Sequence, residues 1–518
     1  MEFVLVKKRL ALVMKKALGL VAFSILLVSC APAPAVVAPE PEPAATEAAE
    51  EIEQSLTFEL SLLGEDPEVC KIVENSFDPA TGWGRKNGFI DSRFQTGADQ
   101  KYYNGNATAF PFNPTALNVE GELNVELVLV DWEDLPGNDA DREMYIQNVE
   151  KFAEFYWMVS EHNLQWNIHV SEGWFRIPGS YADFYMNPDD EGQHHQFAPK
   201  KQKLYDAITD TSDPSTDYTN VDLVIPAWPT AKTVSDEGSH DFNFRWNAAM
   251  YTDEKTIYNI AGAGDWFIKH QDYAGPWIFY VHETGHMLGI PHQAKEDAND
   301  LFGQYPHNEY FWLQNPFDGF EIMANQDGAI KTINGWLRWV AGWLDDSQVI
   351  CVTQDQIDDE IFALHPINDV SGETEALVIK LSDSMAIVVE SRRWDERFDR
   401  PIVHSRDGVI VYTVDATKGS SQGSQALLSP RDITKWLEVN HWRHSEELDA
   451  NFCEGDFVDV AGLVIGLESS QEGVDYVRVQ KSTNNFPVDP PEIGTEGGVN
   501  RVESTCIHGP GSDNPPSS

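Results

Sequence analysis

The chain has 518 residues, with 84 acidic against 36 basic side chains and a net charge of −48 at pH 7. Its 42% apolar and 11% aromatic content excludes a wholly disordered chain, and its length allows about two to four domains. So acidic a surface repels phosphate backbones, which sets nucleic acid aside as a partner and suits divalent cations, basic peptides or a salty medium.

Taken from the start, Lys15 and Lys16 precede an apolar run over 17–28, short for a bilayer span and right for a signal h-region. The run ends Leu27-Val28-Ser29-Cys30, which resembles a bacterial lipoprotein box. That resemblance implies a signal peptide over 1–30, acylation of Cys30, and an exported chain anchored to a membrane surface at the cell exterior or outer membrane. Residues 31–55 are rich in Pro, Ala and Glu without a basic side chain, a spacer that self-repulsion keeps extended. An N-terminal segment over 56–120 has no clear period.

From Val125 the run Val125-Glu126-Leu127-Val128-Leu129-Val130 predicts a buried strand entering an acidic loop. A helix follows, with Val149, Phe152, Ala153 and Tyr156 on one face. Residues 165–170 alternate as a half-buried strand and 221–225 form a buried one. After about residue 350 short strands take over, at 376–381, 385–390, 408–414, 462–467 and 474–479. The expected fold class is α+β: a mixed sheet backed by helices over 121–347, a β-sandwich-like domain over 348–483, and a low-complexity tail over 484–518.

Setting Cys30 aside, Cys70, Cys351, Cys453 and Cys506 can form two bridges in an exported chain, by any of three connectivities, or remain buried thiols.

The chemistry is concentrated in Pro276-Trp-Ile-Phe-Tyr-Val-His282-Glu283-Thr284-Gly285-His286-Met287-Leu288-Gly289-Ile290-Pro291-His292. On a helix opened by Pro276, His282 and His286 lie one turn apart and leave the same face, so both can bind one ion. Glu283 stands beside them without being needed as a ligand. Gly289 can take positive φ and turn the chain so that His292 returns as a third nitrogen ligand. Three imidazoles leave one tetrahedral position open, the arrangement of a catalytic rather than a structural zinc. His194, His195, His240 and His270 have no ligand spacing and read as solvated or core histidines.

This segment resembles the metzincin metalloproteases, whose signature H-E-x-x-H-x-x-G-x-x-H it matches at all five fixed positions. The resemblance implies a methionine turn beneath the ligands, and Asp318-Gly-Phe-Glu-Ile-Met323-Ala-Asn-Gln-Asp327-Gly fits that role through Met323. Ala324-Asn325 follows, so no metal-facing Tyr is assigned there. With Trp336-Leu-Arg-Trp-Val-Ala-Gly342-Trp343-Leu344, Glu390-Ser-Arg392-Arg393 and Gly408-Val-Ile-Val-Tyr-Thr-Val-Asp415, residues 120–480 look like the bacterial immune inhibitor A group of secreted peptidases (M6-type). Glu390, Arg392 and Asp415 are expected to be strand-end charges holding two domains together.

The implied activity is zinc-assisted hydrolysis of peptide bonds in extracellular proteins, with Glu283 as general base and one catalytic Zn2+. The substrate is expected along an edge strand, for which 165–170 is a candidate. Calcium is a second expected ion, as a stabiliser. The acidic clusters Asp131/Glu133/Asp134, Asp189/Asp190/Glu191 and Glu296/Asp297/Asp300 lack EF-hand spacing and read first as solvated faces. Cys70 lacks the surroundings of a thiol latency switch and reads as a disulfide partner. The expected partners are protein or peptide substrates and the membrane surface, for a monomer. Two other classes fit less well: a surface binding lipoprotein with an inactive protease domain, and a zinc amidase acting on a non-protein substrate.

Overall fold

The computed structural model describes residues 58–73, 108–112, 116–184, 194–230, 249–262, 275–291, 320–324, 330–393, 407–418, 424–428 and 451–482, and for 194–201 the backbone alone. The expected signal peptide (1–30), spacer (31–55) and tail (484–518) lie outside these residues.

Strand β1 (Gly121–Asp131) organises the first half. Helix α1 (Asp139–Val159) opens on Asn138, whose side chain accepts from Asp141 N at 2.9 Å, and Asp139 and Asp141 favour its first turn. Of the expected helix face, Val149, Phe152 and Tyr156 are buried and Ala153 is half-buried. Then come β2 (Leu164–Val170), β3 (Phe175–Arg176), α2 (His194–Ser212), β4 (Leu223–Ala227) and a small hairpin, β5 (Met250–Tyr251) with β6 (Thr256–Ile257). β1 pairs in parallel with β2, β3 and β4, and Ile260 bridges to Val224 of β4, also in parallel. A mixed sheet is expected from sequence; among the described residues the strands joined to β1 are all parallel. The cause lies in the connections: α1 and α2 carry the chain back across the sheet before β2 and β4, so each strand re-enters in the same direction.

β1 is buried on both faces, and its alternation divides two cores. Val125, Leu127 and Leu129 join the core that contains α1, while Val128 and Val130 pack with Leu204, Tyr205 and Ile208 of α2.

Helix α3 (Pro276–Leu288) and the short α4 (Gly335–Ala341) follow. The remaining strands are β7 (Val349–Thr353), β8 (Asp359–Leu364), β9 (Ala376–Lys380), β10 (Met385–Arg392), β11 (Gly408–Asp415), β12 (Gln425–Leu428), β13 (Phe457–Val460), β14 (Leu463–Gln471) and β15 (Val474–Lys481). They form a five-stranded sheet, β12-β11-β10-β9-β7, and a four-stranded sheet, β13-β14-β15-β8. The molecule is therefore α+β, with several sheets and few helices. Alternation along β10 again serves two cores. Ile387 and Val389 pack with Ile465 and Val477 of the four-stranded sheet, whereas Ala386 and Val388 join the core that holds α1 and α3. A sheet covered on both faces needs a continuous apolar run, and β10 supplies one.

Charge is buried where α4 meets this sheet. Glu390 and Arg392 are fully buried and paired, with Arg392 Nε donating to Glu390 Oε1 at 2.7 Å. Glu390 Oε2 accepts from Gly335 N at 2.6 Å and from the Tyr412 hydroxyl at 2.8 Å. Arg392 balances the charge of Glu390 on the same strand, and Glu390 thus joins α4 to the sheet. Asp415 does not. It is half-buried and accepts from Thr417 N at 3.0 Å and Thr417 Oγ1 at 2.6 Å, because the chain turns immediately after β11 and the carboxylate satisfies groups of that turn.

The N-terminal segment packs against later parts of the chain. Ser61 N donates to Ile361 O and Glu65 N to Cys351 O, at 2.8 and 2.7 Å. Cys70 is buried and disulfide-bonded to Cys351, with Cα atoms 5.7 Å apart, so it is a structural cysteine. Cys453 is also disulfide-bonded. Among the described residues no helix is long and apolar enough to cross a membrane.

Candidate metal centre

Helix α3 starts at Pro276, after Gly275 at φ 89°, and stops at Gly289 at φ 108°. At that stop Gly289 N donates to Gly285 O and His286 O, and Ile290 N donates to Gly285 O, so a left-handed glycine ends the helix and redirects the chain toward residue 292. Every residue of α3 is buried. A short helix buried all round must be held by its neighbours rather than by its own propensity. The Tyr156 hydroxyl of α1 donates to Val281 O at 2.6 Å, and Ala116 N and Leu117 N both donate to Met287 O at 3.0 Å. Burial and then the charge of Glu283 hold the Tyr156 hydroxyl well above its usual range, so it stays a donor.

The imidazoles of His282 and His286 leave one face, as the one-turn spacing requires, with ring planes 89° apart. His282 Nδ1 lies 2.7 Å from Ile322 O, and His286 Nδ1 lies 3.2 Å from Ile290 O. A carbonyl only accepts, so each Nδ1 carries the hydrogen and each Nε2 presents a lone pair in the neutral ring. The two Nε2 atoms are 3.2 Å apart. Two ligands at 2.0–2.1 Å in tetrahedral arrangement about one zinc ion would stand about 3.3 Å apart, so this pair fits the metal. Facing lone pairs at that distance repel unless a cation lies between them.

Glu283 is buried beside the pair, with Oε1 3.9 Å from His282 Nε2. Met323 sits under the helix in a turn closed by Ala324 N donating to Glu321 O. At Gly285 a Cβ would stand 2.6 Å from Met323 Sδ, so the glycine is what lets the methionine approach the helix that carries both histidines. The buried Glu321 carboxylate fixes this turn, accepting from Met323 N at 3.2 Å and from Asn334 N at 2.6 Å. Burial pushes Glu321 up to about 7, against those two amides. The structure therefore brings together His282, Glu283, His286 and Met323. Cys30 and His292 lie outside the described residues, and among the described residues no group of three or more His, Cys, Asp or Glu could hold an ion.

Sequence reasoning missed Tyr156, Glu321 and the amides of Ala116 and Leu117 as supports of the site. Tyr156 was legible only as a core face; Glu321, an acid two residues before the methionine in an apolar stretch, offered a faint signal. Among the described residues the segment 165–170 pairs only with β1 and lies across it from β4, whose other side faces Ile260. Of the acidic clusters, Asp131 is taken up by Arg176, with Nε to Oδ1 at 2.5 Å and Nη2 to Oδ2 at 2.9 Å, and by Gly137 N. Asp134 accepts from Ser180 Oγ and Tyr181 N. These carboxylates hold loops; the other two clusters lie outside the described residues. No protein-family model matches the chain, and no curated protein matches it.

Proposed function

We propose that this chain is a zinc-dependent endopeptidase of the metzincin type, exported and anchored through Cys30, with a β-sandwich-like region after its catalytic part. The observation that carries the reading is the pair of Nε2 atoms at 3.2 Å, each ring locked by a carbonyl at Nδ1, above a methionine that Gly285 admits. His282, His286 and His292 would hold the ion. When bound, zinc supplies Lewis-acid polarisation of a peptide carbonyl and eases deprotonation of water near neutral pH.

The chain's own groups do the rest. The Nδ1 contacts to Ile322 O and Ile290 O keep both rings in the ligating tautomer and orientation. Glu283, buried on the same helical turn as His282, takes the proton from the attacking water and returns it to the leaving amine. Its low exposure keeps bulk water from competing for that proton. Met323 packs against Gly285 and gives the helix that carries both rings an apolar support without offering a competing hydrogen bond.

The test is a metal-replete peptide-library digest comparing wild type with Glu283→Ala, with zinc content measured in both. Removing the general base should lower cleavage by about 10²–10⁴-fold while zinc stays at one per chain. Retained cleavage in the variant would sink the assignment of Glu283. Zinc-loaded wild type without peptidase activity would sink the endopeptidase reading.

A further inference from the structure

The second face of β1 carries a feature that the proposed peptidase chemistry does not use. Glu126 alternates with Val128 and Val130, so it points away from the core that holds α1 and α3. Among the described residues helix α2 packs on Val128 and Val130, and Glu126 lies earlier on the same face. There a cleft of about 760 Å³ lies between the end of β2 and the loop over residues 215–221. Its volume falls in the range of small-ligand sites. Glu126, His169, Glu172, Phe175, Asp217 and Asn220 are among the residues that line it.

Three observations bear on what it takes. Glu126 is only 7% exposed, yet among the described residues it has no hydrogen-bond or ion-pair partner, and burial alone pushes its carboxyl up to about 7. A carboxylate buried without a partner is unfavourable unless something cationic or hydrogen-bonding comes to it. Glu172 and Asp217 add two more acidic groups at the exposed rim; among the described residues no Lys or Arg lines the cleft, and the nearby Lys255 Nζ is engaged by Val221 O. Finally, no group of three or more His, Cys, Asp or Glu among the described residues stands close enough to hold an ion. The acceptors are spread around a volume suited to an organic cation, with Phe175 as an apolar and cation–π surface.

We propose that this cleft is a second binding site, which takes an alkylammonium or guanidinium group and seats its charge on Glu126. Two sources share that chemistry: the basic side chain of a polypeptide and a free polyamine. The site lies on the sheet face opposite the one that packs toward α1 and α3, and it stands independently of the peptidase reading.

The experiment is calorimetric titration of the full-length protein with N-acetyl-arginine amide, with spermidine, and with the neutral N-acetyl-citrulline amide. Saturable binding of a cationic probe is expected, with none for the citrulline compound. Glu126→Gln should weaken binding at least about tenfold, the loss typical of a charge-assisted hydrogen bond. Glu283→Ala should bind as wild type does, which separates this site from the zinc-binding face. Tighter binding of the arginine compound assigns a polypeptide side chain, and tighter spermidine binding assigns a polyamine. No saturable binding of either cation, equal binding by Glu126→Gln, or equal binding of the citrulline compound overturns the proposal. Should Glu126→Gln fail to fold, the rim double variant Glu172→Gln/Asp217→Asn carries the test: weakened cation binding is expected, and unchanged binding overturns it.

Discussion

On one face of β1, Val125, Leu127 and Leu129 are sealed in the core that α1 and α3 share. On the other, Val128 and Val130 meet α2 while Glu126 looks into a cleft. The filled face is what permits a 13-residue helix to be buried on every side and still hold two imidazoles at a fixed separation. Close packing leaves few alternative positions for a buried group, so precision at His282 and His286 is bound up with the aromatic residues behind them. The open face gives up that rigidity, and in exchange a carboxylate remains reachable from solvent. One strand thus supports two kinds of site, and they should respond to mutation with opposite signs.

The sharpest way to break the comparison is to hollow out the filled face. Phe152→Ala, from a fully buried ring on α1, should cost about 3–5 kcal/mol in denaturant unfolding. A loss below about 1 kcal/mol would mean that the face is not packed as described. A smaller intrusion comes from Gly285→Ala, whose new methyl group meets Met323 Sδ. It should cost about 1–3 kcal/mol and reduce bound zinc, and adding Met323→Ala should recover part of the stability. Independent losses in that double variant would contradict direct contact between the two residues.

The smallest effect belongs to the open face and has the other sign. The Glu126 carboxyl rises from its ordinary 4.5 to about 7 in the folded protein. Between those values the folded state holds more proton than the unfolded one, so its contribution is favourable at low pH and fades as pH rises through about 7. Glu126→Gln should therefore match wild type below pH 4.5 and become more stable across the interval, by about 1 kcal/mol above pH 7. That figure is set below the full linkage value because the cleft is open to water. His169, Glu172, Asp217 and Tyr218 also face this region, so the difference between variant and wild type, rather than either curve alone, isolates Glu126. A gap that does not change with pH would contradict the raised carboxyl.

What could be read from sequence followed local patterning. The run from Val125 to Val130, the helix around Val149 and Phe152, and the strands after residue 350 are all described near their expected places, because alternation and 3.6-residue periods are properties of neighbouring residues. The pairing of His282 with His286 was legible for the same reason, since one helical turn separates them. Contacts made by distant segments were not. Nothing local marks Tyr156 for Val281, Ala116 for Met287, or Glu321 for Asn334. Strand direction was not legible either: the parallel pairing of the described strands joined to β1 depends on where crossover helices return rather than on any strand's own residues. Glu126 was visible as a single acid within an apolar run, and only the packing around it revealed that it faces a cleft.

The bridge between Cys70 and Cys351 spans 281 residues of sequence, and the segment around Cys70 hydrogen-bonds to β7 and β8. A chain made from its N-terminus therefore carries Cys70 unpaired, and residues 58–73 without their strand partners, until residue 351 and the strands beyond it have emerged. The histidine pair is complete in the emerging chain well before that moment. Long-range closure of this kind slows folding and favours the late steps as the point of commitment. The first-made part of the body is in this sense among the last to be fastened.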